Sequence, residues 1–396
     1  MTPARVPSAR ITVQRRALAS RLRVLALAAF VAGAGLSIPF HRAGTLALVG
    51  VAVAAAFLVW ARRVSGGARA FVGALEISPG EVAVLPERGA RVVVTGVRTG
   101  WVVPGAAGAR VELVRDDDDA VTADVASPEE GHAALAAAGV DPSRRAVRLL
   151  LGGRWDGVGF GVVTALFVLL QGTPVFLLLA LSLGLSGPTT VALGLGLLAL
   201  ATGVGGRMLG PAEVTLGADG VRWRHGFSRG YAAWRDVSGV EAWHDQGILL
   251  RRRGSAPVII PHAQRDGGRL AGVVALLRRV WERAAESPRA PLEALDRRGR
   301  TLADWREALR ALLASAAYRQ GSVTPDDLAA TLVDPAASAE RRLAAAMCLH
   351  DAGAPGAATR IRVAAEACAS DDLRAALERA AEGDVDEATA ARVAGR

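Results

Sequence analysis

The chain contains no lysine and no asparagine, only two cysteines, two tyrosines and three methionines, and aromatic residues make up 5% of it. The missing lysine and asparagine, with abundant Ala, Gly and Arg, are the pattern of GC-rich coding. An arginine here is therefore not by itself evidence of a selected bidentate contact. Cys348 and Cys368 form no C-x-x-C metal pattern and no disulfide framework, and read as two buried helix thiols. Nothing in them argues for an oxidising compartment.

Charge is missing over one long stretch. Residues 157–206 hold no Asp, Glu, Arg, Lys or His, and residues 24–40 and 45–61 are likewise uncharged. Roughly 20 apolar residues span a bilayer core. Residues 24–61 are therefore expected to form one transmembrane hairpin, turning at His41-Arg42-Ala43-Gly44. Residues 157–206 are expected to form a second, breaking near Ser186-Gly187-Pro188. The absence of ionisable residues inside these spans excludes the usual apparatus of pumps, ion-coupled transporters and intramembrane proteases. Gln171 and Pro174 are the only residues that hint at a transporter or channel subunit. The Gly194-x-Gly196-x-x-Ala199 run lies in the uncharged block with no strand before it, so it is not a dinucleotide fingerprint.

What is present is arginine, placed asymmetrically. The net charge is +9 over 396 residues, a length that suggests two or three domains. Arginines crowd residues 1–23 and flank both apolar blocks, while the two hairpin tips are nearly bare. By the positive-inside rule both termini and both large polar regions are expected on the cytoplasmic side.

Two polar regions read as β-rich. In residues 212–286, Val221-Arg222-Trp223-Arg224-His225 alternates with period two after the turn Ala218-Asp219-Gly220. Short strand patterns follow to Pro261. Leu270, Val273, Val274, Leu277 and Trp281 then mark one face of a closing helix. Residues 72–155 show a similar order, with Ser127-Pro128-Glu129-Glu130 as a helix start. Asp116 to Asp119 read as a solvated hairpin tip, since the spacing of a calcium loop is missing. Beyond Pro291 only helix signals remain, with starts at Thr301-x-x-Asp304 and Thr324-Pro325-Asp326-Asp327 and stops at Gly353 and Gly383.

The hairpin "VTLGADGVRWRH", the step "AAWRDVSGVEAW" and the closing helix through Trp281 resemble the pleckstrin-homology-like (PH-like) domains of bacterial membrane proteins. The resemblance covers about 75 residues and implies a fold, not a ligand. It implies that Trp234, Asp236, Val237 and Trp281 form a structural corner, with Trp234 in the core and Asp236 bonding local backbone N–H groups. The runs around Arg341-Arg342 and Arg362-Val363 slightly resemble HEAT-type helical repeats.

The expected architecture is thus a multi-domain integral membrane protein. It has a basic segment 1–23, hairpins 24–61 and 157–206, PH-like β-modules 72–155 and 212–286 each closed by a helix, and an all-α domain 291–396. The expected location is the bacterial inner membrane. Arg222, Arg224, Arg229, Arg251, Arg252 and Arg253 are candidate contacts for anionic lipid or a protein partner, although arginines next to spans also serve topology alone. The 291–396 region offers a surface for a protein partner. No nucleic acid is expected, since no aromatic–basic stacking platform accompanies the arginines. No cofactor, metal or catalytic residue is indicated: Cys348, His350 and Asp351 sit together on one helix, not across a cleft. The leading expectation is a non-enzymatic scaffold or regulatory protein, and the alternative is the small transporter or channel subunit.

Overall fold

The computed structural model describes residues 4–14, 52–61, 69–151, 212–261, 267–286, 293–316 and 323–394, apart from short internal gaps and with a few isolated positions besides. Three antiparallel sheets and a set of helices make up the described fold. The first sheet has seven strands: β1 Ala4–Gln14, β2 Arg69–Ser78, β3 Glu81–Pro86, β4 Val92–Thr95, β5 Val97–Gly105, β6 Gly108–Arg115 and β7 Ala120–Val125. Their order is β4-β3-β2-β1-β7-β6-β5, so the N-terminal strand lies in the middle. Helix α1, Pro128–Ala137, packs on β5 and β6. Ser127 caps it by accepting the Glu130 N–H, Pro128 occupies its first turn, and Glu130 reaches back to the Ala126 N–H.

The second sheet, in the order β11-β10-β9-β8, comprises β8 Val147–Leu151, β9 Ala212–Leu216, β10 Gly220–His225 and β11 Ser228–Ala233. The third comprises β12 Val237–Trp243, β13 Gly247–Arg252 and β14 Ser255–Pro261. Helix α2, Gly267–Glu286, closes this unit with Leu270, Val273, Val274 and Leu277 buried. It also packs on β5 of the first sheet. Gly272 makes that approach possible, because a Cβ there would stand 2.5 Å from Val103 and 2.7 Å from Trp101. One buried cluster therefore runs from Trp101 through the second and third sheets to α2.

The remaining helices form a separate core around Trp305, Leu343, Ile361 and Leu377. They are α3 Leu302–Ala316, α4 Pro325–Val333, α5 Ala339–Asp351, α6 Ala357–Glu366, α7 Asp371–Glu382 and α8 Glu387–Ala394. Several of their caps are local. Thr324 and Asp327 form a reciprocal capping box, Ser338 and Ser370 cap α5 and α7, and Gly383 ends α7 at φ 78°.

The membrane architecture expected from hydropathy is corrected here. Among the described residues no helix is long and apolar enough to cross a membrane. Residues 24–51 and 157–206 lie almost wholly outside the described residues. Within the first expected hairpin, residues 52–61 are described, as helix. The four-span fold, the multi-pass inner-membrane location and the cytoplasmic placement deduced from it are therefore not supported among the described residues. The physical reason is that an uncharged run reports transfer preference alone; it does not establish a continuous helix of spanning length.

Two further findings separate fold from sequence order. Residues 4–14, expected as part of a basic terminal segment, are a strand paired with β2 and β7. Strand β8, expected within the first module, pairs with β9 of the second, from Val147↔Leu216 to Leu151↔Ala212. Each uncharged block is thus flanked by antiparallel partners, β1 with β2 and β8 with β9. The chain leaves each sheet and returns to it at neighbouring positions.

Candidate functional site

The second sheet has two unlike faces because side chains alternate along each strand. Val147, Leu149, Leu151, Val214, Leu216, Val221 and Trp223 point into the shared core. On the other face the register aligns Thr215, Arg222 and Tyr231 in one row, and Glu213, Arg224 and Arg229 in the next. This polar face forms one wall of a groove of about 1020 Å³. The N-terminal ends of α5 and α7 form the other, through Ala339, Arg342, Ser370, Asp371 and Leu373.

The two walls are joined by a buried carboxylate. Asp219, only 5% exposed, sits in the β9–β10 turn. Its Oδ1 accepts the Ala369 N–H at 2.5 Å, and its Oδ2 accepts the Ser370 N–H and the Tyr231 hydroxyl, each at 3.0 Å. Beside it the Ala218 N–H donates to Ala367 O at 2.7 Å, and the Ala146 N–H donates to Glu366 O at 2.8 Å. The backbones approach so closely that a Cβ on Gly217 would lie 2.3 Å from the Ala369 nitrogen. Burial, reinforced by Asp219, pushes the Tyr231 phenol well above its ordinary value, so it stays a donor.

Arg342 lies at the inner end of this junction, 1% exposed. Its Nε donates to Leu332 O at 2.8 Å, while Nη1 and Nη2 have no hydrogen-bond partner among the described residues. Burial opposes its charge, and Cys368, Asp219, Tyr231 and Asp334 outweigh that, so its pKa moves upward overall. The Asp219 oxygens are already occupied by Ala369, Ser370 and Tyr231, so they balance Arg342 through space.

The groove is lined by five arginines and five carboxylates. Arg222 is bonded to Asp371, and Glu213 is taken by Arg148 at 2.7 Å. Arg224 and Arg229 stand directly opposite each other on β10 and β11. Neither forms an ion pair or a side-chain hydrogen bond among the described residues. A like-charged cross-strand pair is destabilising by itself. Phe227, in the turn between them, is 65% exposed.

The six arginines singled out by sequence do not form one patch. Arg222, Arg224 and Arg229 line the groove. Arg251 and Arg252 belong to the third sheet, and Arg253 follows them in the turn after β13. Arg251 pairs with Glu241 at 3.0 Å, Arg252 donates to Ala256 O, and the Arg253 N–H donates to Asp236 O. The corner residues meet as a structural unit. Trp234 is buried in a 3-10 turn, Trp234–Asp236, and its indole N–H donates to Gly217 O at 2.8 Å. The Trp281 indole donates to Val237 O at 3.1 Å. Asp236 acts differently from expectation: its carboxylate faces Arg235 at 3.7 Å, and its main-chain carbonyl receives the bond from Arg253.

Sequence reasoning missed Asp219 and Arg342 as partners across the junction. Asp219 reads as an ordinary turn residue, and Arg342 as one of many helix arginines; no local signal marks either. Cys348 and Cys368 are buried free thiols, each pushed up to about 12 mainly by burial, which removes them as nucleophiles at neutral pH. Among the described residues no group of His, Cys, Asp or Glu is arranged to hold a metal ion. No family model, curated protein or solved structure matches the chain.

Proposed function

We propose that this chain is a non-enzymatic scaffold or regulatory protein, and that the groove between the second sheet and the helical domain binds an acidic segment of a partner protein. The observation that carries the reading is the Arg224–Arg229 pair, two exposed like charges held opposite each other, neither of them in an ion pair among the described residues. Three of the five acids that line the groove support it. Asp219, Asp371 and Glu213 are committed to backbone amides or to other arginines. An incoming carboxylate would relieve the repulsion, and exposed Phe227 adds an apolar contact beside it. The PH-like resemblance of residues 212–286 belongs to the same proposal, as a scaffold that implies no ligand of its own.

The test is fluorescence polarisation with the full chain and labelled twelve-residue peptides, one rich in Glu and Asp and one rich in Lys and Arg. Binding of the acidic peptide alone, weakened by salt and by at least tenfold in Arg224→Glu/Arg229→Glu, is the expected result. Equal binding of both peptides, or an acidic peptide indifferent to the double substitution, overturns the reading.

A further inference from the structure

We infer that the helical domain is a releasable cover on the second sheet: the junction at Asp219 opens as one unit while the cores on both sides stay folded. This goes beyond the partner-binding reading and does not depend on it.

The joint is polar and gathered in one place. The bonds across it include the Asp219 contacts to Ala369 and Ser370, the main-chain bonds Ala218 to Ala367 and Ala146 to Glu366, and the Arg222–Asp371 ion pair. Each of these meets the helical domain between residues 366 and 371. Apolar packing does not follow them. The buried cluster of the helical domain is separate from that of the second and third sheets. Among the described residues no helix of the domain packs along a strand of the second sheet. What lies between the walls is the groove of about 1020 Å³. Relative motion of two units is the expected behaviour where no large hydrophobic interface joins them.

Closure is also opposed from inside. Arg342 is 1% exposed, and its Nη1 and Nη2 are unpaired among the described residues. The Cys368 thiol that faces it is a weak acceptor. A buried donor left unpaired costs free energy that contact with water restores. Asp219 and Tyr231, both on the sheet side, act on Arg342 electrostatically, so the guanidinium sits at the parting surface. Opening therefore lets water reach it, while the attraction of Asp219 pulls the other way. Closure rests on these opposed polar terms, and such a joint opens more readily than either packed core unfolds. Opening uncovers the row Thr215, Arg222 and Tyr231 on the polar face. A ligand that prefers the uncovered face would shift the equilibrium by that preference.

The experiment is native-state hydrogen exchange on the full chain, read at single amides over a series of sub-denaturing urea concentrations. The reporters are the Ala146 and Ala218 amides, which donate across the junction but not to Asp219. The references are amides of residues 221–223 in β10 and 343–349 in α5. Both reporters should exchange at least tenfold faster than the references, with almost no dependence on urea, while urea speeds the references steeply. Asp219→Asn should speed both reporters about fivefold or more, although neither loses its own acceptor. Reporters that share the rate and urea dependence of the references would show that the junction opens only on global unfolding, and would overturn the inference. Reporters unmoved by Asp219→Asn would overturn it equally, since their exchange would then be local fraying. No peptide enters this test, so its outcome is separable from that of the acidic-partner assay.

Discussion

Replacing Asp219 with alanine removes three acceptor contacts at once: the Ala369 and Ser370 amides and the Tyr231 hydroxyl. All three donors lie at a junction where Asp219 is 5% exposed, so water cannot replace the carboxylate without opening the interface. Hydrogen bonds to a charged group contribute roughly 1.5–3 kcal/mol each, and such terms do not add fully. Arg342, whose terminal nitrogens already lack partners, would also lose its nearby counter-charge. Together these place the loss at about 3–5 kcal/mol, the range for breaking a buried charged network. Asp219→Asn keeps an acceptor oxygen and should lose about 1–2 kcal/mol. The assay is urea denaturation followed by tryptophan fluorescence and circular dichroism. Trp234 reports the β-module and Trp305 the helical core, both buried. In Asp219→Ala the two signals should separate into distinct transitions, because the junction that couples them has gone. A loss below 1 kcal/mol, coincident transitions, or equal effects of alanine and asparagine would refute the reasoning.

Gly217→Ala should destabilise the same junction by about 1–3 kcal/mol, since the added Cβ meets the Ala369 nitrogen and the Ala367 carbonyl, backbone atoms that cannot swing aside; urea midpoints check it. Both thiols should resist a disulfide reagent at neutral pH in the native protein and react only on unfolding, because both are buried and raised to about 12. Stability should fall on the alkaline side. Each thiol contributes stability that is complete below its ordinary value of 9.0 and is lost as pH rises towards about 12, and Tyr231 adds a loss that begins above pH 10. Melting temperatures between pH 8 and 11 measure this, and Cys348→Ala/Cys368→Ala should flatten the first part of the decline.

Local features were legible without coordinates. The Ser127-Pro128 and Thr324-Pro325 starts, the apolar face of α2 and the stops at Gly353 and Gly383 depend on residues a turn apart, so the chain encodes them in place. The turn at Ala218-Asp219-Gly220 and the strand after it have the same local origin. Hydropathy misled for a related reason. It measures composition over a window and carries no information about the strands on either side of residues 24–61 and 157–206, nor about any continuous helix of spanning length among the described residues. The Arg222–Arg229 and Arg251–Arg253 groups looked like one basic surface because they lie near each other in sequence, yet they fall on different sheets.

By itself the amino-acid order determined where helices begin and end, which face of each is apolar, and where the tight turns fall. These are set by backbone sterics and by hydrogen bonds within a few residues. Only the tertiary structure decided that residues 4–14 sit in the centre of a sheet, that β8 joins β9 across the long uncharged block, and that Asp219 holds a turn some 150 residues further on. Backbone N–H and C=O groups are the same at every position and name no distant partner. The pairing is settled when packing brings apolar faces together and leaves a buried carboxylate only one set of donors to accept from.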